Sequence, residues 1–205
     1  MSVPRSSGGM VSPSTAHNRD PILEVLRVRL PPCGVVLEIA AGAGEHAVYN
    51  AAALPSIQWQ PTDPAPEALA SIAAWRDQAG LRNLLPPLWL DATDPDQWPV
   101  GHADAIVNIN MIHISPWAAT QGLTRGAGRI LPAGGVLVLY GPYIEPNLTT
   151  VPSNLAFDLS LKARNPAWGL RRLDNVTALA AQHGMELSER IAMPANNLAL
   201  IFRKS

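Results

Sequence analysis

The hydrophobic pattern of the chain alternates between short, continuous apolar runs and longer amphipathic stretches. Continuous apolar runs are typical of strands that are buried on both faces of a parallel sheet. The runs predict strands at 34–40, 56–63, 103–113 and 134–143 and a strand within 86–94, and the stretches between them predict helices at 45–54, 67–80 and 115–131. This alternation predicts an α/β protein in which helices cover both faces of the sheet.

The end of the chain departs from this alternation. A helix is predicted at 173–184, and two strands at 185–193 and 198–204 are separated only by PANN. Such a short connection allows a hairpin but no parallel crossover, which needs about a dozen residues. The sequence therefore predicts a doubly wound, seven-stranded, mostly parallel sheet with one antiparallel strand in a C-terminal hairpin.

Two segments lie outside this regular order. Residues 1–16 are rich in Ser, Gly and Pro and predict a flexible N-terminal tail before a single domain at 17–205. The first helix is predicted to start with Asp20 as N-cap and Pro21 in the first turn. Segment 142–170 is predicted to be irregular, and its length suggests a lid insertion over a binding site.

The charge balance argues against large anionic partners. The net charge is −1, only two of the fifteen basic residues are lysines, and no basic run is longer than the pair Arg171–Arg172. We therefore expect no nucleic-acid and no membrane partner, and a cytoplasmic protein. Cys33 is the only cysteine, so no internal disulfide can form, and we expect it to be a small buried residue. The histidines lack metal-ligand spacing, and we expect no metal.

A glycine-containing turn, LEIAAGAGEH at 37–46, follows the first strand. Ligands of open α/β sheets bind outside the carboxyl ends of the strands, where this turn lies. Gly42 and Gly44 come later than in a dinucleotide fingerprint, and Glu38 would repel a pyrophosphate. The turn favours a ligand with an ammonium or sulfonium charge, and tight packing without a ligand is the alternative.

The pattern E-x-x-x-G-x-G resembles the glycine motif of class I S-adenosylmethionine-dependent methyltransferases, which have a Rossmann-like fold. Further motifs resemble the domain of unknown function 938 family, which includes methyltransferase-like protein 26; they are NRDPILEVL, WQPTDP, HISPW, LYGPY, SNLAFDLSLKARNPAWGLR and MPANNLALIFR. The resemblance runs from about Ser12 to Arg203. It departs from the family at Ala41 and Ala43, where a Ser and a Thr are expected.

The resemblance implies S-adenosyl-L-methionine as cofactor and S-adenosyl-L-homocysteine as product. It places Asp63 at the ribose hydroxyls, Asp91 near the adenine, and the end of the fourth strand near the methionine part. The cofactor-binding residues expected from the motifs and their neighbours are Arg19, Glu38, Ala40, Gly42, Gly44, His46, Asp63, Asp91, Ala92, Asn108 and Asn110. For Arg19, an ion pair with Asp20 or Glu24 is the alternative. For His46 the alternative is a helix cap, and for Asn108 and Asn110 it is a substrate contact or a structural hydrogen-bond network.

The candidates for chemistry follow the fourth and fifth strands. His113 has an ordinary pKa that suits a general base, although it could equally cap a helix or satisfy a buried carbonyl. Tyr143 is expected to contact the substrate or to pack as an aromatic residue. In the 142–170 segment, Asn154, Asp158 and Trp168 are the expected substrate-binding residues, with a solvated helix face as the alternative.

Two functions from different classes fit these features. The first is methylation of a small molecule by in-line transfer from S-adenosylmethionine, in a monomer or homodimer. The second is a non-catalytic protein that binds S-adenosylmethionine or S-adenosylhomocysteine as a sensor or partner subunit, which Ala41 and Ala43 motivate. A nicotinamide oxidoreductase is disfavoured by Glu38 and the late glycines. The sequence leaves the methyl acceptor and the methylated atom open.

Overall fold

A seven-stranded sheet forms the centre of the computed structural model, which describes residues 8–205. In chain order, the strands are β1 (Gly34–Ile39), β2 (Ile57–Asp63), β3 (Leu88–Trp89), β4 (Ala105–Ile109), β5 (Val136–Gly141), β6 (Tyr143–Ile144), β7 (Arg171–Arg172), β8 (Met185–Met193) and β9 (Asn197–Lys204). The sheet has the order β3-β2-β1-β4-β5-β9-β8, and β6 pairs only with β7. Strands β1 to β5 run parallel to one another, whereas β9 is antiparallel to both β5 and β8. The predicted fold class is confirmed.

Helices cover both faces of this sheet. They are α1 (Thr15–Arg29), α2 (Glu45–Ala53), α3 (Pro66–Ala79), α4 (Trp117–Ile130), α5 (Pro152–Arg164) and α6 (Leu173–Ala181). Because successive strand residues point to opposite faces, Val36 packs into a core with α1, α2 and α3, and Leu37 packs into a core with α4 and α6. Full burial of side chains of this size contributes roughly 1.5–3 kcal/mol each. Within residues 8–205, no helix is long and apolar enough for a membrane span.

The N-terminal end of α1 differs from the prediction. The helix begins at Thr15, so Asp20 lies inside it and the predicted N-cap role of Asp20 is wrong. The Asp20 carboxylate instead accepts a hydrogen bond of 2.5 Å from the Tyr49 hydroxyl. Pro21 is tolerated within α1, where it removes one backbone donor. Residues 1–7 of the predicted tail lie outside the described residues.

Two further local predictions are corrected by the structure, and a third is narrowed. Segment 142–170 is not irregular throughout, because Pro152 occupies the first turn of the 13-residue helix α5. The strand predicted within 86–94 is present but has only two residues, Leu88 and Trp89. Cys33 is exposed rather than buried, since it lies in the bend before β1 and not in the sheet.

Candidate active site

The turn between β1 and α2 leaves bare backbone at the carboxyl end of β1. Ala40, Gly42 and Gly44 have positive φ angles of 57°, 56° and 89°. A Cβ on Gly44 would lie 3.0 Å from the Cα of Ile72, so packing against α3 requires this glycine. A Cβ on Gly42 would have no heavy atom of the described residues within 4 Å. Packing therefore accounts for Gly44, whereas the space above Gly42 is left open.

This turn borders a cleft of about 330 Å³, which we call the glycine-turn cleft. Its lining residues are Ser12, Ser14, Thr15, Glu38, Ala40, Ala41, Gly42, Ala43, Gly44, Glu45, His46, Asp63, Ile109, Asn110, Met111 and Ile114. Seven residues that the sequence predicts as cofactor-binding lie on this wall: Glu38, Ala40, Gly42, Gly44, His46, Asp63 and Asn110. The carboxyl ends of β1, β2 and β4 bring them together.

Asp63 shapes the turn directly. Its Oδ2 accepts a hydrogen bond of 2.9 Å from the Gly42 amide, and its Oδ1 accepts one of 2.9 Å from the Ala65 amide. Asp63 therefore joins the end of β2 both to the glycine turn and to the start of α3. An ionised carboxylate has about four lone-pair sites, so these two bonds leave capacity for hydroxyl donors from the cleft.

Glu38 is a buried carboxylate in the same wall, with 2% of its surface exposed. Its Oε2 accepts a hydrogen bond of 2.6 Å from the indole nitrogen of Trp59. Burial raises the Glu38 pKa to about 7; the Trp59 bond opposes the shift, and the charge of Asp63 adds to it. A positive charge that enters the cleft would stabilise the ionised form of Glu38 and lower its pKa.

The segment before α1 closes one side of the glycine-turn cleft. The Met10 amide donates to Ser71 Oγ at 2.7 Å, and the Met10 carbonyl accepts from the Trp75 indole at 3.0 Å. The Ser12 amide donates to the carboxylate of Glu45 at the start of α2. Ser12 and Ser14 of this segment line the cleft. Sequence reasoning missed both residues, because the segment is held by partners tens of positions away and its composition indicates only flexibility.

His46 reaches the cleft, whereas Arg19 does not. The His46 side chain is 9% exposed, and burial together with the positive charge of Arg19 lowers its pKa to about 4. Arg19 lies 4.7 Å above the Tyr49 ring, and its Nε is 3.7 Å from Asp20 Oδ1. The structure therefore places Arg19 in the surface ion pair that was its alternative role.

Three other predicted cofactor residues also lie off the cleft wall. Asp91 Oδ1 accepts hydrogen bonds from the amide and the hydroxyl of Thr93, both at 2.8 Å, and so stabilises its own turn. Ala92 is buried, and its carbonyl oxygen lies against Gly122 of α4. The amide group of Asn108 donates to the Ile39 carbonyl at 2.9 Å and ties β4 to β1.

A second cavity, of about 560 Å³, adjoins the glycine-turn cleft; we call it the hairpin cavity because the β8–β9 turn forms part of its wall. Its lining residues are Ser14, His17, Asn18, Asn110, Tyr140, Pro142, Ser153, Asn154, Phe157, Pro194, Ala195, Asn196 and Asn197. Ser14 and Asn110 line both spaces. Asn110 has a positive φ of 64° and begins the short 3₁₀ turn Met111–His113 after β4.

The predicted catalytic pair, His113 and Tyr143, lies behind these cavities. His113 is fully buried, and its ring packs edge-to-face on Tyr143 with 4.9 Å between centroids. Burial and the charge of Arg171 lower the His113 pKa to about 3, while burial raises the Tyr143 pKa. Within the described chain, neither ring nitrogen of His113 has a hydrogen-bond partner. A Cβ on Gly141 would lie 2.5 Å from His113 Nε2, so the backbone of Gly141 closely covers this ring.

Of the three predicted substrate residues, only Asn154 lines the hairpin cavity. Asp158 is buried on the same face of α5, where it accepts hydrogen bonds from Lys162 at 2.5 Å and from the Leu170 amide at 2.8 Å. Trp168 stacks beneath the Arg164 guanidinium at 4.9 Å. These contacts indicate that Asp158 and Trp168 hold the segment after α5 in place.

The arrangement can bind a cationic, hydroxyl-bearing ligand next to a larger polar cavity. Two carboxylates, Glu38 and Asp63, face an open backbone turn, and the cleft meets the hairpin cavity at Ser14 and Asn110. Over residues 8–205, no three His, Cys, Asp or Glu side chains cluster as metal ligands would.

Several solved structures that resemble this chain are methyltransferases. An O-methyltransferase family 2 protein from Planctomyces limnophilus, in complex with apigenin, matches 91% of the chain at 20% identity with a TM-score of 0.74. CalO1, a methyltransferase in calicheamicin biosynthesis with bound S-adenosylhomocysteine, matches 94% at 16% identity with a TM-score of 0.71. Human N-acetylserotonin methyltransferase, in complex with S-adenosylmethionine, matches 94% at 14% identity with a TM-score of 0.72.

The chain spans only 62%, 54% and 53% of the lengths of these three proteins. At such low identities, the likeness shows the fold, which is that of class I methyltransferases. The sequence gives a closer match, because residues 9–204 fit the family DUF938, described as a protein of unknown function. The chain therefore belongs to the DUF938 family.

Proposed function

We propose that this protein, as a DUF938 member of the methyltransferase-like protein 26 type, is a methyltransferase that uses S-adenosylmethionine to methylate a small molecule. One observation carries the proposal: two buried carboxylates, Glu38 and Asp63, flank an open turn in which Gly42 leaves its side-chain space empty. Carboxylates in this position fit the ammonium group and the ribose hydroxyls of an adenosyl amino acid. They do not fit a pyrophosphate.

The two buried carboxylates would have distinct roles in holding the cofactor. Glu38 would pair with the ammonium group. Asp63 would accept hydrogen bonds from the ribose hydroxyls while it also keeps its hydrogen bond from the Gly42 amide. When bound, the cofactor supplies a methyl group that the sulfonium charge activates for in-line displacement. The complexes of CalO1 with S-adenosylhomocysteine and of the human enzyme with S-adenosylmethionine support the choice of cofactor.

The residues around the junction of the two cavities would orient the acceptor. Ser14 and Asn110 line both spaces, so a molecule in the hairpin cavity would meet the cofactor between them. Fixing two reactants in this way lowers the entropic cost of their reaction. The general-base role of His113 stays a prediction; its ring is fully buried and lines neither of the two cavities.

A pair of matched glycine variants tests the cofactor site. Gly42 and Gly80 both have left-handed φ angles, 56° and 63°, and neither would place a Cβ within 4 Å of another described heavy atom. Asparagine tolerates this conformation, so Gly42→Asn and Gly80→Asn carry similar strain. Only Gly42 lines the cleft. In calorimetric titration with S-adenosylhomocysteine, Gly42→Asn should raise the dissociation constant at least about tenfold over the wild type, and Gly80→Asn should leave it unchanged.

Each outcome has a clear meaning. If the wild-type protein binds no S-adenosylhomocysteine, or if both variants bind as the wild type does, the proposed cofactor site is wrong. If binding is selective but a broad panel of acceptors gives no methylation, the protein is the non-catalytic binding protein that the sequence leaves as the alternative.

A further inference from the structure

The side chain of Trp59 holds the buried carboxylate of the glycine-turn cleft. Trp59 lies on β2 and is fully buried, and its indole nitrogen donates to Glu38 Oε2 at 2.6 Å. In the register of β1 and β2, Val36 lies opposite Trp59, and Glu38 is two residues further along β1. Alternate residues of a strand share a face, so this contact follows from the way the two strands pair.

Only one oxygen of this carboxylate is held by the protein. Glu38 Oε1 accepts no hydrogen bond within residues 8–205, yet it is not among the unpaired polar atoms that the fold encloses completely. Glu38 lines the glycine-turn cleft, and 2% of its surface is exposed. Oε1 is therefore the carboxylate oxygen that has surface left for a ligand.

Glu38 has less support for its charge than its neighbour Asp63. Two backbone amides, those of Gly42 and Ala65, donate to Asp63. Within the described chain, the indole N–H of Trp59 is the one donor to the carboxylate of Glu38. Burial raises the Glu38 pKa, the Trp59 bond lowers it, and the charge of Asp63 raises it. The ionised form of Glu38 therefore depends on Trp59.

Strand β2 also fixes the backbone beside this carboxylate. The Thr62 hydroxyl donates to the Glu38 carbonyl at 2.8 Å, and the Thr62 carbonyl accepts a bond of 2.8 Å from the Ala41 amide. The sequence assigns only Asp63 of this strand to the site. In the structure, Trp59 and Thr62 both contact Glu38 as well, so β2 holds its side chain and its backbone together.

We infer that Trp59 is a positioning residue of the glycine-turn cleft: its indole N–H holds one oxygen of Glu38 and leaves the other for the positive charge of the ligand. The inference rests on the proposed function for the identity of that charge, the ammonium group of the cofactor. A hydrogen bond to a carboxylate favours its ionised form. Without the indole N–H, more of the free protein would carry a protonated Glu38, and this proton would have to leave before the ligand could pair.

Trp59→Phe removes the indole donor and keeps an aromatic ring in the core. Loss of a hydrogen bond to a charged group shifts an equilibrium by about tenfold. In calorimetric titration with S-adenosylhomocysteine, Trp59→Phe should raise the dissociation constant about tenfold at about pH 6 but less than about twofold at about pH 9, where Glu38 is largely ionised in both proteins. A packing defect alone would weaken binding by the same factor at both pH values.

Trp98→Phe is the matched control. Trp98 is also buried, and its indole donates to the backbone carbonyl of Asp91 at 3.1 Å. It packs into the core on the other face of the sheet and does not line the cleft. This variant loses a similar bond and similar packing, so it should leave the pH dependence of binding as it is in the wild type.

The other titratable groups near Glu38 do not account for such a difference. Within the described cleft wall they are Asp63 at the end of β2 and Glu45 and His46 at the start of α2. The end of β4 and the segment before α1 add no titratable side chain to this described wall. Burial lowers the His46 pKa to about 4, so its ring is neutral from about pH 6 to about pH 9. Both variants keep all three residues.

A measurement on the wild-type protein tests the contact without a core substitution. The indole ¹H–¹⁵N signal of Trp59 should titrate as Glu38 ionises, and saturating S-adenosylhomocysteine should lower the midpoint, because the ligand's charge favours the ionised form. Glu38→Gln keeps an acceptor for the indole but has no proton to lose. In that variant the Trp59 signal should stay constant over the same pH range.

Failure of this inference and failure of the proposed function give different results. If S-adenosylhomocysteine binds but Trp59→Phe changes its affinity by the same factor at both pH values, or not at all, the inference is overturned and the proposed function stands. A wild-type Trp59 signal that does not titrate, or that still titrates in Glu38→Gln, also overturns it. If S-adenosylhomocysteine does not bind at either pH, the proposed function fails, and the Trp59 signal alone decides whether Trp59 holds Glu38.

Discussion

Binding of S-adenosylhomocysteine should release a proton from Glu38. In the free protein, burial keeps the Glu38 pKa at about 7. The ammonium group of the ligand would favour the ionised carboxylate and lower this pKa in the complex. At about pH 6, the free carboxyl group is roughly 90% protonated, so complex formation should release about 0.9 proton; at about pH 8, it should release only about 0.1. Glu38→Gln keeps an acceptor for Trp59 and should release none.

The same linkage fixes the expected pH dependence of affinity. Because the proton must leave before the ion pair can form, the dissociation constant should be about tenfold lower at about pH 8 than at about pH 6, equivalent to roughly 1.4 kcal/mol. Calorimetry in buffers with different ionisation enthalpies counts the protons directly. Tight binding by the wild type with no proton release at about pH 6, or equal release by Glu38→Gln, would refute a pairing between Glu38 and the ligand's charge.

Two further predictions concern stability and use urea unfolding. A Cβ on Gly122 would lie 1.8 Å from the Ala92 carbonyl oxygen, so Gly122→Ala should lower the free energy of unfolding by roughly 2 kcal/mol. Gly101→Ala is the control and should lower it by almost nothing, because no described heavy atom lies within 4 Å of a Cβ at Gly101. Equal losses for the two variants would contradict this packing. The His113 pKa of about 3 in the fold means that stability is lost as the pH falls from about 6.5 towards 3, because only the unfolded state takes up the proton. His113→Phe should therefore reduce the loss of stability between about pH 7 and pH 4.5 by roughly 3 kcal/mol, and an unchanged loss would show that His113 is not buried in its neutral form.

The sequence predicts those parts of the molecule that depend on local pattern and sheet geometry. Apolar runs identify the strands, and the short PANN connection identifies the hairpin. Parallel strands end at one edge of a sheet, so Glu38 and Asp63 could be placed together before any coordinates were known. Whether Gly42 serves packing or a ligand was left open by the sequence, and only the structure shows that a Cβ there would meet no described heavy atom within 4 Å.

Other features depend on contacts between distant parts of the chain. Ser12 and Ser14 look flexible by composition but line the glycine-turn cleft, and the bond from the Met10 amide to Ser71 holds their segment against α3. His113 follows β4 as a catalytic base would, yet the tertiary fold turns its ring towards Tyr143. Asp158 matches the spacing of a substrate residue but binds Lys162 and the Leu170 amide instead. The local sequence pattern does not predict which distant residue a buried polar side chain will contact.

The position of β9 has a consequence for the order in which the protein is made. β9 is the last strand of the chain, yet it lies inside the sheet between β5 and β8. During synthesis, the strands that carry the glycine turn emerge first, while one edge of β5 stays unpaired until β9 has been made. Such an edge is prone to pair with other chains. The hairpin cavity is therefore completed after the glycine turn, and deletion of β9 would disrupt this cavity while the strands that carry the glycine turn are kept.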